Sequence, residues 1–212
     1  KEIRVGYAPV DFDDWLEPVA RPALKAALDA IRGIGLQLVE TKLPDLPYGP
    51  TTSTVIAAEG ASIFEPLIRS DKIEQLADKD QIAGLKAALD LPARDYLRAM
   101  RVRRLVQQGF RDVLTNLDVL IAPGRYGIAP KANEPLDKGT FIPNPQPKEP
   151  GFRALIPGGN LAGLPAVSVP CGFANSLPVS FQLVARPFNE NLILAIAREY
   201  QKQTDWHRRR PP

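Results

Sequence analysis

Residues 2–43 read as a strand, a helix and a strand in quick succession, and nothing else in the chain restricts its fold as much. EIRVGYA is a short β-rich run, and LQLVETKL is another. Between them, Ala20, Leu24, Ala27, Leu28 and Ile31 fall on one helical stripe. Pro18 and Pro22 lie at or near the first turn, where a missing N–H costs little, and Gly33 and Gly35 end the helix. A β-α-β unit this short implies a parallel strand pair with a right-handed crossover.

The rest of the chain continues the interleaving. TTSTVIAAEGASIFEPLIRS and DKIEQLADKDQIAGLKAALD read as helical, the first with a Thr or Ser cap ahead of it. PARDYLRAMRVRRLVQQGFRDVLTNLD is the longest predicted helix, with Ala99, Val102, Val106, Phe110, Val113 and Leu117 on its apolar side. VLIAP follows as a buried strand. From Pro123 to Pro157 the chain holds eight prolines and shows neither period, which marks a lid or binding segment. A helical turn at GNLAGL, the strands PAVSVP and PVSFQLVA, and a closing helix NENLILAIAREYQKQ complete it. The last two strands are close enough to form an antiparallel hairpin. The expected class is therefore α/β, a layered, mixed β-sheet flanked by helices, in one unit spanning residues 1–212.

The 44% hydrophobic composition of the 212 residues supplies a sizeable core. Apolar runs are broken well short of the ~20 residues that a membrane span needs, and no secretion signal is visible. The one cysteine cannot form an internal disulfide, and the cytoplasm is the expected compartment. With 27 basic against 24 acidic residues, the sign bias that phosphate binding needs is missing, so nucleic acid is not an expected partner. The chain opens KEIRVGYAP without an initiator Met, as though continuing from upstream.

Several residues invite a chemical reading. Cys171 and His207 are the chain's only cysteine and histidine; they permit a thiolate nucleophile with a base, or a packed thiol at a strand end and a histidine on a terminal tail. One of each cannot close an N/S metal site, so no metal is expected, and no cofactor either. Gly158, Gly159 and Asn160 precede a predicted helical turn; their amides could cradle an anion or oxyanion, or Asn160 could serve as an N-cap. In the series Arg98, Arg101, Arg103, Arg104 and Arg111, residues 101, 104 and 111 fall off the apolar stripe and read as a solvated face. Arg103, beside Val102, lies at the stripe's edge, where a guanidinium can reach a carboxylate or a carbonyl.

NLAGLPAVSVPCGF, followed by LPVSFQLVARPFNENLILAIAREYQKQTDWH, resembles the C-terminal part of the amidase signature family. These enzymes hydrolyse or transfer amides through a Ser, cis-Ser, Lys triad. The resemblance extends through IRVGYAP, GLQLVETKLP, AAEGASIF and YLRAMRVRRLVQQGFRDVLTNLDVLIAP, covering essentially the whole chain. The family's nucleophile lies in a Gly/Ser-rich loop with a Ser-Ser pair, and this sequence contains no Ser-Ser dipeptide. The resemblance therefore implies no catalytic residue here. It implies a scaffold and pocket-wall role, with a small-molecule amide as substrate and the missing N-terminal half as partner.

On the same resemblance, Arg103 matches the arginine that contacts the substrate carboxylate in glutamine-using members, the glutaminase subunits of tRNA-dependent amidotransferases. Asn160 with Gly158 and Gly159, and Tyr126 within PGRYGIAP, match regions that approach the cleft. Arg153 stands where glutamine-using members carry Asp. Two further departures are PGRYGIAP in place of Pro-Thr-Thr-Pro, and Ser176 and Ser180 where Gly is more usual. A half-fold also implies an unpaired sheet edge, and with it self-association.

Overall fold

The computed structural model describes residues 2–133 and 141–211. Five strands, β1 (Arg4–Tyr7), β2 (Gln37–Glu40), β3 (Val119–Pro123), β4 (Ala166–Ala174) and β5 (Leu177–Ala185), form one sheet in the order β2-β1-β3-β5-β4. β1 is parallel to β2 and to β3; β5 is antiparallel to β3 and to β4. The sheet is mixed, as the sequence implied.

Six helices cover it: α1 (Arg21–Gly33), α2 (Tyr48–Ile68), α3 (Lys79–Ala88), α4 (Ala93–Val113), α5 (Leu155–Ala162) and α6 (Glu190–Gln203). One core packs α1 and α6 against the sheet through Leu24, Ile31, Ile193 and Tyr200. A second core packs α2, α4 and α5 on the opposite face through Tyr48, Val106, Phe110 and Leu161. Ile68, Ile73 and Ile82 make a small satellite core where α2 meets α3. The predicted stripes on α1 and α4 are the faces that pack, while Arg98, Arg101, Arg104 and Arg111 are exposed.

The connections explain where a cleft forms. The chain leaves β1 toward α1 on one face and leaves β2 toward α2 on the other. Adjacent parallel strands whose outgoing loops diverge leave a crevice beyond their carboxyl ends. A cavity of about 830 Å³ lies there, lined by Ala8 and Pro9 after β1, by Glu40 to Leu46 after β2, and by residues 146–151, 153 and 154 of the proline-rich segment. That segment has no helix or strand in its described part, between Pro123 and Leu155, and its residues 134–140 lie outside the described residues.

Three local expectations are corrected. α2 begins at Tyr48 and is as long as α4, both 21 residues. Thr51, Thr52 and Thr54 sit inside its first turns with their hydroxyls donating to carbonyls four residues back, so none of them caps the helix. Packing of Tyr48 against Phe110, with ring centroids 6.1 Å apart, starts the helix before the threonines. α4 stops at Val113, and Leu117 joins the core from the following turn. α5 begins at Leu155, four residues before the predicted turn.

The β4–β5 hairpin turns on Asn175 and Ser176, with φ 48° and 64°. A two-residue loop with positive φ at both positions matches the strand twist, and a non-glycine residue there costs roughly 1–2 kcal/mol. Ser176→Gly is therefore expected to stabilise the chain by about 0.5–1 kcal/mol, after the extra unfolded-state entropy of glycine. Chemical denaturation checks this by a higher urea midpoint at unchanged slope.

Two of the departures noted above meet at one place. Gly124 N donates to Ser180 O at 2.8 Å, and a Cβ at position 124 would fall 2.3 Å from Ser180 Oγ. The volume absent from 124 is supplied from 180. Gly124→Thr alone is expected to destabilise by about 1–3 kcal/mol, and Ser180→Gly in the same chain to recover about 1 kcal/mol or more beyond additivity. Additive values in the double-mutant cycle would refute the pairing.

Candidate functional site

The sequence-selected residues separate into two groups, one around α5 and one behind the cavity. α5 packs against α2 and α4. A Cβ on Gly158 would approach Tyr48 Cδ1 to 2.8 Å and Phe110 Cε2 to 2.9 Å, so the helix can sit this close only with glycine there. Thr52 Oγ1 donates to Pro157 O at 3.3 Å. Half-buried Arg103 donates from Nε to Leu161 O at 2.7 Å and so satisfies a carbonyl in the last turn of α5. Arg103 thus reaches a carbonyl, one of the two targets its position allowed.

The anion cradle is overturned. Gly158 and Gly159 lie within α5, where Gly158 N already donates to Ala154 O at 2.9 Å. Asn160 is not an N-cap: Ala154 holds that position without a side-chain bond, while Asn160 O accepts from Gly163 N near the helix end. Asn160 itself is exposed on α5.

Behind the cavity, Tyr126 and Arg153 converge on Asp11, which sequence reading missed. Asp11 is fully buried, and its Oδ2 accepts from Phe152 N at 2.8 Å. Its Oδ1 and the Tyr126 hydroxyl are buried without a hydrogen-bond partner among the described residues, although each shifts the other's ionisation. Desolvation raises the Asp11 pKa to about 7, against the smaller downward pull of the Phe152 amide, Tyr126 and Arg153. Burial, and then Asp11, raise that of Tyr126. Arg153 is exposed, with its guanidinium 4.2 Å from the Trp15 ring centroid.

The short stretch 11–17 clasps both ends of the proline-rich segment. Trp15 Nε1 donates to Glu149 O at 2.7 Å, Glu17 N to Tyr126 O at 2.7 Å, and Ile128 N to Glu17 Oε2 at 2.9 Å. The stretch DFDDW reads as a turn with helix-start acids. Its position just past the carboxyl end of a parallel strand was the signal that could have marked it as site-forming.

Of the two readings of Cys171, the structure bears out the packed thiol at a strand end and overturns the nucleophile. Cys171 is 1% exposed, its Sγ lies 3.5 Å from Val179 O, and burial pushes its thiol up to about 12. A reactive thiol needs the opposite shift. His207 is exposed in the terminal turn Trp206–Arg208. Among the described residues no group of three His, Cys, Asp or Glu side chains could hold a metal, and no helix is long and apolar enough to cross a membrane.

The sign of the Asp11 shift makes a prediction. A carboxyl with a raised folded-state pKa is held protonated by the fold while the unfolded chain releases the proton. Its contribution to stability is complete below about pH 4 and is lost as pH rises to about 7. The loss is on the order of 2–4 kcal/mol. Urea midpoints between pH 4 and pH 8 are expected to fall with pH in the wild-type chain and to fall distinctly less in Asp11→Asn; parallel curves would refute the assignment.

The amidase family model matches residues 1–194. The A subunit of glutamyl-tRNA(Gln) amidotransferase from Chloroflexus aurantiacus is 31% identical over 99% of this chain and 46% of its own length. The protein of the same name from Methanosarcina acetivorans is 28% identical over 100% and 48%. A solved amidase superposes with a TM-score of 0.77 at 19% identity, over 96% of this chain and 46% of its own, which speaks to the fold. The chain spans about half the length of the curated relatives it matches. A family match running through both helical layers and the hairpin, joined to a shared fold, identifies this chain as a member of the amidase signature family.

Proposed function

We propose that the chain is the scaffold and substrate-pocket portion of an amidase, an enzyme that hydrolyses or transfers carboxylic amide C–N bonds, with the Ser, cis-Ser, Lys triad carried by a companion segment. The observation that carries this reading is a match to the family over residues 1–194 by a sequence that lacks the Ser-Ser pair. In the companion's active site, acylation of the serine would release ammonia or an amine and water would regenerate it, with backbone amides stabilising the oxyanion. Arg103, Tyr126, Arg153, Gly158, Gly159 and Asn160 are the substrate-binding candidates of this chain.

Two surfaces support a companion. β4 closes the sheet with nine residues and no partner on its outer side among the described residues. Ile56, Ile63 and Phe64 on α2 and Ile156 on α5 are exposed by half or more of their area. A long free strand and bare apolar side chains each recruit a partner or a second copy. The chain alone is expected to self-associate in light scattering and to leave a simple aryl amide unchanged, and co-expression with the N-terminal half of a related amidase to yield a heterodimer that turns it over. Turnover by the rigorously purified chain alone would overturn the reading.

A further inference from the structure

The cavity beyond β1 and β2 carries a cation that its own walls do not use. Trp15 is 3% exposed and fixed by its bond to Glu149 O, so the ring beneath the Arg153 guanidinium is a rigid platform. Stacking on it removes much of the rotamer freedom that an exposed arginine otherwise loses on binding a ligand. The N–H edge of the guanidinium has no acceptor among the described residues and borders the cavity.

The other charges of the cavity leave that cation available. Lys42 and Glu149 pair with each other at 2.9 Å. Asp45 lies near Tyr48, whose hydroxyl it helps push up to about 12, secondary to burial. Lys148 and Glu40 also line the space. Asp11, behind Arg153, accepts at its Oδ2 from the Phe152 amide rather than from the guanidinium. A single planar fork suits a carboxylate, which accepts two parallel N–H bonds. Glu40 and Asp45 on the rim, with no second arginine, disfavour a phosphate dianion.

We propose that this cavity binds a small organic carboxylate, received by Arg153 and kept in place by the Trp15 platform. The inference deepens the amidase reading, since it makes the substrate an amide that also bears an acid group, but the binding step itself needs no amidase chemistry. Its volume of about 830 Å³ is ample for a four-carbon acid.

The test is a fluorescence titration of the full chain carrying Trp206→Phe, so that Trp15 is the only reporter, with succinate and its neutral analogue succinamide as probes. Succinate is expected to give a saturable change, succinamide to bind about tenfold more weakly or worse, Arg153→Gln to lose a similar factor, and Arg153→Lys to fall between. Unchanged urea midpoints would show that the variants remain folded. Absence of a succinate response, equal response to the two probes, or undiminished binding by Arg153→Gln would overturn the proposal. The probe comparison uses no Arg153 variant, so a folding defect in one of them does not touch it. A carboxylate preference in a chain whose companion-bound form hydrolyses no amide would uphold this site and sink the amidase reading alone.

Discussion

The side chains of β3 divide alternately between two cores: Val119 and Ile121 face α1 and α6, while Leu120 and Ala122 face α2, α4 and α5. All five residues of the strand are buried. β3 is also where the parallel part of the sheet meets the antiparallel part, since it pairs with β1 on one side and β5 on the other. A one-residue slip would exchange the two cores. The helical layers, the hairpin and the cleft are therefore all placed by the burial of one five-residue strand. Gln182 shows how tightly this seam is drawn, its buried Nε2 reaching Pro123 O at 3.1 Å.

That seam also separates finished from unfinished surface. On the α1 and α6 side, β4 and β5 contribute Val169, Cys171, Phe181 and Leu183 to a closed core. Opposite, the neighbouring positions are Ser168 and Ser180, with hydroxyl oxygens 3.1 Å apart, beside the free edge of β4. A strand pair that is oily on one face and hydroxylated on the other has one side built for packing and one for a wetter boundary. Ile56, Ile63 and Phe64 of α2 and Ile156 of α5 are bare on helices that cover this second face of the sheet.

What could be read from the sequence follows from which forces act locally. α1 and its two strands were legible because apolar period, proline placement and glycine stops agree; β3 and the hairpin were legible as short apolar runs between turns. α5 was misplaced because its first residues, LIPGGN, carry proline and two glycines, poor helix formers by propensity. Contact with Tyr48 and Phe110 overrides that propensity, and Gly158, which looks like part of a loop, is what permits the contact. Asp11 and Trp15 were invisible for a related reason. Their partners, Phe152 and Glu149, lie well over a hundred residues away in sequence, and no local period records such a pairing. Arg103 and Arg153 were found from the resemblance and from edge position, but their different roles were not.

Those roles separate on the electrostatics of α5. Arg103 donates to a carbonyl in the last turn, the negative end of the helix, where a cation is favourable. That bond uses its Nε alone and anchors the side chain against α5. Arg153 precedes the first turn, whose end is positive and which holds no acidic residue. A cation there is disfavoured, and the fold nonetheless stacks it on a buried tryptophan rather than letting it swing away. Nothing in the packing of α5 needs that charge. The helix start and the guanidinium instead add their fields on one wall of the cavity, and the stack on Trp15 offsets part of that repulsion while leaving the charge facing the space.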